Sequence, residues 1–393
     1  MTRTASRGAV LFLLASVVGY LVIGSLLAHR PIDLAVYSAT GDAVTDHTAI
    51  YGPLGTPYQL RSTYPPFAAL LFVPLADVSL RMLQHIALGC NLVLLALVAV
   101  LSTRVLGVAR QQRLVTAMVL AGVSIWAEPV FTALRLGQVD LLLLALVLWD
   151  FARPDGARWR GVGIGLAAAI KIVPGVFVVY LLLTRRFREA ATAVYTFVLA
   201  LAIGSILLPV ETKQYWTRLI FDSGRVGRVI NEQNQSLRGL IARLRHSPHP
   251  GSPAIVAVFV VGVAGLLIAA LAYRRLDDRW GIAACGVTAL LATPIAWTHH
   301  WVWCVPIVLL LWLEARRWLV AAALFWTYAP FLLPTANRPE RHYAMWQSVL
   351  SGWYVYFGLA FLALTAVRSA RAGSSVEDED IERARPVHTL DAA

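Results

Sequence analysis

Apolar runs of about membrane-spanning length recur from one end of this 393-residue chain to the other. They lie near residues 9–28, 82–103, 114–134, 139–152, 161–184, 190–209, 253–273, 280–297, 301–314, 318–334 and 350–367. In hydrocarbon the backbone must satisfy its own hydrogen bonds, so only helices and closed barrels cross, and a helix needs about 20 residues to do so. Composition agrees: 58% of residues are hydrophobic and 14% charged, against about 45–50% and 25% in a soluble domain. A soluble fold could not cover that much apolar surface. The expected fold class is an all-α polytopic membrane protein. The first run follows Arg3 and Arg7 and continues into His29-Arg30-Pro31 without a small-residue cleavage site, so it reads as an uncleaved anchor.

Charge sets the orientation. The chain carries +12 at pH 7, and all but two of its 34 basic residues are arginine. With the N-terminus in the cytoplasm, the cytoplasmic segments hold 20 of the 34 basic residues. Seven more lie in one long outer segment, and long segments count little in the positive-inside rule. Both termini are then cytoplasmic. In a membrane protein this excess reflects topology and anionic lipid rather than nucleic acid. Cys90, Cys285 and Cys304 lack metal spacing and read as small core residues.

One run breaks the alternation. Residues 161–184 have arginines at both ends and Lys171 and Pro174 in the middle. Two short halves meeting at an outer-facing break explain this, which brings the expected crossings to about 12. Such a break is tolerated only where it lines a cavity. Two outer loops, 29–66 and 210–252, are long; the first contains Asp33, Tyr37, Tyr58 and Tyr64. In the second, Leu237, Leu240, Ile241 and Leu244 alternate with arginines, the pattern of a helix lying on the membrane surface. Residues 1–368 are expected to form one transmembrane catalytic domain, and residues 369–393 an acidic, disordered cytoplasmic tail.

Polar groups gather on the outer side, and each ionisable residue at membrane depth is a functional candidate. Asp33 is placed either as a general base or as a helix cap. Tyr64-Pro65-Pro66 is a stiff helix entry or part of a site. Asp140, in Leu136-Gly137-Gln138-Val139-Asp140, binds ligand or pairs with Arg135; Glu128 is a ligand or a buried, hydrogen-bonded acid. Lys171 sits mid-run rather than at a helix end, which favours phosphate binding over snorkelling. Asn234-Gln235-Ser236 is a sugar- or phosphate-binding helix start or a capping cluster. Trp297-Thr298-His299-His300-Trp301 pairs two histidines with a stacking face. Adjacent helical side chains diverge by about 100°, so hydrogen bonding to phosphate or sugar is preferred over zinc.

Six segments occur in order: Asp33-Leu34-Ala35-Val36-Tyr37, Thr63-Tyr64-Pro65-Pro66, Leu136 to Asp140, Ile170-Lys171-Ile172-Val173-Pro174 with Arg185-Arg186-Phe187-Arg188, Asn234 to Gly239, and Thr293-Pro294-Ile295-Ala296-Trp297-Thr298-His299-His300. Over roughly residues 9–367 the chain resembles the actinobacterial polyprenol-phosphate-mannose-dependent α-mannosyltransferases of the GT-C superfamily. It is most similar to members that add an α-1,2-mannose to phosphatidylinositol mannosides. The resemblance implies a GT-C fold in the cytoplasmic membrane, with the active site on the periplasmic side. It implies a polyprenyl-phosphate mannose donor, a phosphatidylinositol mannoside acceptor, and Asp33 as the catalytic carboxylate. His299 joins it as a catalytic group. Tyr37, Tyr64, Arg135, Gln138, Asp140, Lys171, Asn234, Gln235, Ser236, Trp297 and His300 are the donor- and acceptor-binding set. Where the family often has an aspartate before the two histidines, this chain has Thr298. No cofactor or metal is expected, because a lipid-monophosphate leaving group can be stabilised by protein cations. The rival readings are a related transferase for lipoarabinomannan mannan or arabinofuranose, and a lipid-linked sugar flippase or transporter, which would place polar groups on both sides of a pathway.

Overall fold

The chain is described by a computed structural model over residues 3–27, 31–56, 59–333 and 342–384, with side chains through residue 373. Arg30 and Tyr58 lie outside the described residues. Eighteen α-helices and no strands appear among them. In order these are α1 (Arg3–Leu26), α2 (Ile32–Thr45), α3 (Pro66–Phe72), α4 (Leu80–Val105), α5 (Arg113–Ser124), α6 (Glu128–Leu136), α7 (Asp140–Phe151), α8 (Val162–Ile170), α9 (Val176–Leu183) and α10 (Phe187–Leu207). They continue with α11 (Pro209–Thr217), α12 (Leu237–Leu244), α13 (Ser252–Arg275), α14 (Asp278–Ala292), α15 (Cys304–Glu314), α16 (Leu319–Ala322), α17 (Met345–Leu350) and α18 (Trp353–Ala384).

Among the described residues five helices, α1, α4, α10, α13 and α18, are long and apolar enough to cross a membrane, or six spans if α5 and α6 count as one. That is fewer uninterrupted helices than the eleven runs imply, because several runs are bent or broken. The 114–134 run turns by 78° between α5 and α6, where Pro129 at the start of α6 cannot continue the preceding helix. On α1, α10 and α13 only about a fifth of the apolar span is buried within the protein. Leu11, Ile206 and Phe259 stand exposed there, as they would against lipid.

The 161–184 run does break at Lys171. α8 ends there, Lys171 adopts an extended backbone (φ −149°, ψ 123°), and α9 resumes after a tight 3-10 turn through Pro174. The two far ends of this pair meet. Arg160, before α8, and Arg186, after α9, both approach the Asp278 carboxylate, at 3.8 and 2.7 Å. Tyr180 donates to the same carboxylate at 2.7 Å. The segment is a helical hairpin with Lys171 at its tip.

The long stretches 29–66 and 210–252 carry helices of their own: α2 lies in the first, and α11 and α12 in the second, with α12 where the apolar spacing predicts a helix. The apolar face of α12 is covered by protein: Leu237 and Leu240 pack into the main core, and Arg243 is fully buried, donating to the carbonyls of Asn231, Asn234 and Ser351. An amphipathic pattern reports that one face is covered, not by what. α18 continues past residue 369 as far as Ala384.

Candidate active site

Four segments converge on one cavity of about 240 Å³. The first is α2, whose opening turn carries Asp33 and, one turn on, Tyr37. The second is Tyr64-Pro65, which leads into α3 with Pro66 at its first position, where the missing N–H costs nothing. The third is the α6–α7 turn. Gly137 ends α6 in the left-handed conformation (φ 69°), and a side chain there would strike Leu34 at 2.7 Å; this turn delivers Gln138 to the cavity. The fourth is the 3-10 segment Thr298–Trp303, with Trp297 before it and His299 and His300 within it. The hairpin tip adds Lys171.

Two polar clusters face each other across the space. On one side the Tyr37 hydroxyl lies 2.7 Å from that of Tyr64 and donates to Gln138 Oε1 at 2.8 Å. Burial raises the Asp33 carboxyl to about 6, against the opposing pull of a Gln138 hydrogen bond and the Lys171 charge. On the other side Lys171 Nζ donates to Asp140 Oδ1 at 3.0 Å and lies 2.8 Å from His300 Nε2. An ammonium has no lone pair, so His300 Nε2 must accept, which fixes the neutral ring with its proton on Nδ1. Burial and the lysine charge hold His300 well below the usual histidine range, and burial takes His299 down to about 4. Both rings are neutral at physiological pH. His299 Nε2 is 3.9 Å from Asp140 Oδ2, and neither atom has a hydrogen-bond partner among the described residues.

Asp140, His299 and His300 place one ligand atom each within 4.8 Å of one another, close enough for a metal ion. Lys171 Nζ already bonds two of these three residues. A divalent ion there would stand beside an ammonium, and the two would repel. The donor set fits the lysine as its cation.

Not every expected residue reaches the cavity. Asp140 lies just behind it, lining a small adjoining void with Lys171 and His300. Its partner is Lys171, 31 residues on. Arg135 is exposed at the end of α6 and is not among the lining residues. Asn234, Gln235 and Ser236 are fully buried outside the lining, because their hydrogen-bonding capacity is used internally. Asn234 donates to the carbonyls of Val229 and Pro294 and accepts from the backbone N–H of Ser236 and Ala296. Gln235 ties Glu232, Ser351 and Tyr354 together, and Ser236 caps α12 while donating to Pro294. Glu128 is a buried acid bonded by Tyr354 at 2.6 Å and Thr132 at 2.8 Å.

The sequence profile of glycosyltransferase family 87 matches residues 63–294, more than half of the chain. The chain belongs to glycosyltransferase family 87. It is 32% identical, over 97% of its length and 90% of the relative's, to the polyprenol-phosphate-mannose-dependent alpha-(1-2)-phosphatidylinositol pentamannoside mannosyltransferase of Mycobacterium tuberculosis. It is 32% identical, over 91% of its length and 90% of the relative's, to that organism's phosphatidylinositol mannoside mannosyltransferase of the same dependence. A pentamannoside mannosyltransferase of Mycolicibacterium smegmatis is 33% identical over 72% of this chain and 69% of its own. No solved structure matches the chain significantly. The family 87 interval holds Tyr64, Gln138, Asp140 and Lys171; Asp33 and the two histidines fall just outside it and inside the full-length alignments.

The cavity mouth adds residues that the motifs miss. Arg61, Asp222, Ser223 and Arg225 all line it. Arg225 donates to the carbonyls of Leu219, Ser62 and Thr63, each at 3.0 Å, with its guanidinium over the rings of Tyr51 and Tyr215. It clamps the 219–226 stretch against the residues before Tyr64. In sequence it is one of seven basic residues in a long segment, and nothing local marks it.

Proposed function

We propose that this chain transfers mannose from polyprenyl-phosphate mannose to a phosphatidylinositol mannoside. The transfer takes place at the outer face of the cytoplasmic membrane, with inversion, and forms an α-1,2 linkage. The observation that carries this reading is the sharing of one cavity by Asp33, Lys171, His299 and His300 in a family 87 chain whose mycobacterial relatives bear the names given above.

The acceptor hydroxyl oxygen attacks the anomeric carbon from the face opposite the phosphate. The bond from that carbon to the phosphate oxygen breaks, and polyprenyl phosphate leaves with the electron pair. Asp33 takes the hydroxyl proton; such help is worth about 10²–10⁴-fold. Its carboxyl, raised to about 6, is ionised at neutral pH yet basic enough to accept a proton. Lys171 has two protons engaged by Asp140 and His300 and a third for the departing phosphate. His299, neutral, offers it an N–H. Such preorganised donors act where charge develops. The reading needs no metal ion or cofactor, and its partners are the two lipids and the surrounding membrane. The fold is read as GT-C with both termini cytoplasmic.

The deciding experiment incubates the purified full chain with labelled polyprenyl-phosphate mannose and mannosylated phosphatidylinositols. Label should enter the glycolipid in a linkage that an α-1,2-mannosidase removes, and transfer should persist in EDTA. Transfer from an arabinofuranosyl donor only would overturn the assignment, as would donor movement across the bilayer without transfer.

A further inference from the structure

The cavity wall opposite Lys171 contains two buried tyrosines and a glutamine that touch no phosphate-binding group, and the chemistry proposed above leaves them without a task. Tyr37 and Tyr64 sit at 2% and 8% exposure and Gln138 at 4%. Phe72 stacks on the Tyr37 ring at 4.5 Å and meets the Tyr64 ring edge-on at 5.4 Å, so neither ring is free to turn away. The three come from different elements: α2, the entry to α3, and the α6–α7 turn.

Donors and acceptors fix the direction of the chain. Tyr37 gives its only proton to Gln138 Oε1. Tyr64 must therefore give its own proton to the Tyr37 oxygen across 2.7 Å. With its carbonyl held by Tyr37, Gln138 is left its amide N–H₂ to offer, and Asp33, one turn before Tyr37 on α2, lines the same cavity as Gln138. Each bond polarises the next in the same sense.

We infer that Gln138 is a positioning residue for the carboxylate of Asp33, held in its working orientation by the relay Tyr64 to Tyr37 to Gln138, and that the relay sets the pH range in which the carboxylate accepts a proton. The inference rests on the reading of Asp33 as the base. A carboxylate that takes a proton from an incoming hydroxyl must keep one oxygen lone pair aimed at the substrate, and a donor on its other side does this. The same donor offsets part of the cost of burying the charge. The remaining charged and titratable groups facing Asp33 are Lys171 at the hairpin tip, Asp140 on α7, and Tyr37 and Tyr64 themselves. His299, His300, Arg61 and Arg225 complete the cavity. Lys171 favours the ionised form of Asp33 and Asp140 opposes it, and neither is altered by changing Gln138.

The test is the pH dependence of mannosyl transfer for purified wild-type, Gln138→Met, Tyr37→Phe and Asp33→Asn chains, with polyprenyl-phosphate mannose as donor. Methionine keeps the length of glutamine and removes its hydrogen bonds. The acid limb of the Gln138→Met profile should move up by about one pH unit. That of Tyr37→Phe should move the same way by less, because the amide remains but is free to flip. Donor KM should stay within about threefold in both, since neither group bonds to Lys171 or the two histidines. A rate loss in both variants with the limb unmoved would overturn the relay while leaving the base intact. Near wild-type transfer by Asp33→Asn would instead remove the base assignment.

Discussion

Asn234-Gln235-Ser236 and Trp297-Thr298-His299-His300 are paired by their own backbones. Asn234 bridges to Trp297, and the Gln235 N–H donates to the Ala296 carbonyl at 2.6 Å. Both are short polar strips between apolar runs, and on sequence alone both are candidates to bind sugar or phosphate. The structure divides the work. The first strip has partners for every polar atom of its two amides, whereas the second presents two neutral histidines and a tryptophan face to the cavity. The difference teaches that polar residues in a membrane protein announce themselves by type, but only their satisfaction tells a ligand group from a strut. Where the strut's atoms are bonded to protein, none remain for substrate.

That division can be broken from either side. The largest expected effect is on the cavity side: Lys171→Met should lower transfer by about 10²–10³-fold, the scale for one charged stabiliser of a leaving group. It should also cost stability, because Asp140 is left as an unpaired buried carboxylate. Transfer rates and thermal unfolding of the same preparation separate the two. On the strut side Asn234→Ala should destabilise by about 1–3 kcal/mol through its orphaned buried partners. Its rate per folded molecule should hold, read as activity normalised to monodisperse protein. Loss of rate without loss of stability would move Asn234 into the site. Arg225→Lys sharpens the comparison at the mouth. Lysine cannot bond three carbonyls with a planar fork, so acceptor KM should rise several-fold with kcat nearly kept. Outside the cavity, Arg135→Gln should change the activation barrier of transfer by no more than about 0.5 kcal/mol.

Protonation is a milder probe. The Asp33 carboxyl is raised to about 6, so the working, ionised form dominates above that pH. Transfer should fall about tenfold per unit below it, and should not fall between pH 6 and 5 on account of His299, already neutral with its value taken down to about 4. A profile flat down to pH 4.5 would contradict the base.

Much of this was legible in the chain. Lys171 and Pro174 in an apolar run flanked by arginines predict the hairpin, because a cation at membrane depth needs a cavity. The convergence of Asp33, Lys171 and the two histidines was expected from the ordered motifs. The Asp140–Lys171 pair was not, since the turn also offered Arg135 as a nearer partner in sequence. Arg225 was hidden because its acceptors are backbone carbonyls about 160 residues away in sequence, and carbonyls leave no sequence signature. Hydropathy sees a run and not its bend, as at Pro129, so the described residues hold fewer uninterrupted long apolar helices than the sequence has runs.

The central claim is that an acid on α2 works against a cation at the hairpin tip within one chamber. It is tested most directly by the single-turnover rate of mannosyl transfer by purified Asp33→Asn protein with saturating donor. The account predicts a fall of about 10²–10⁴-fold with donor affinity retained. A rate equal to that of the wild type would contradict it.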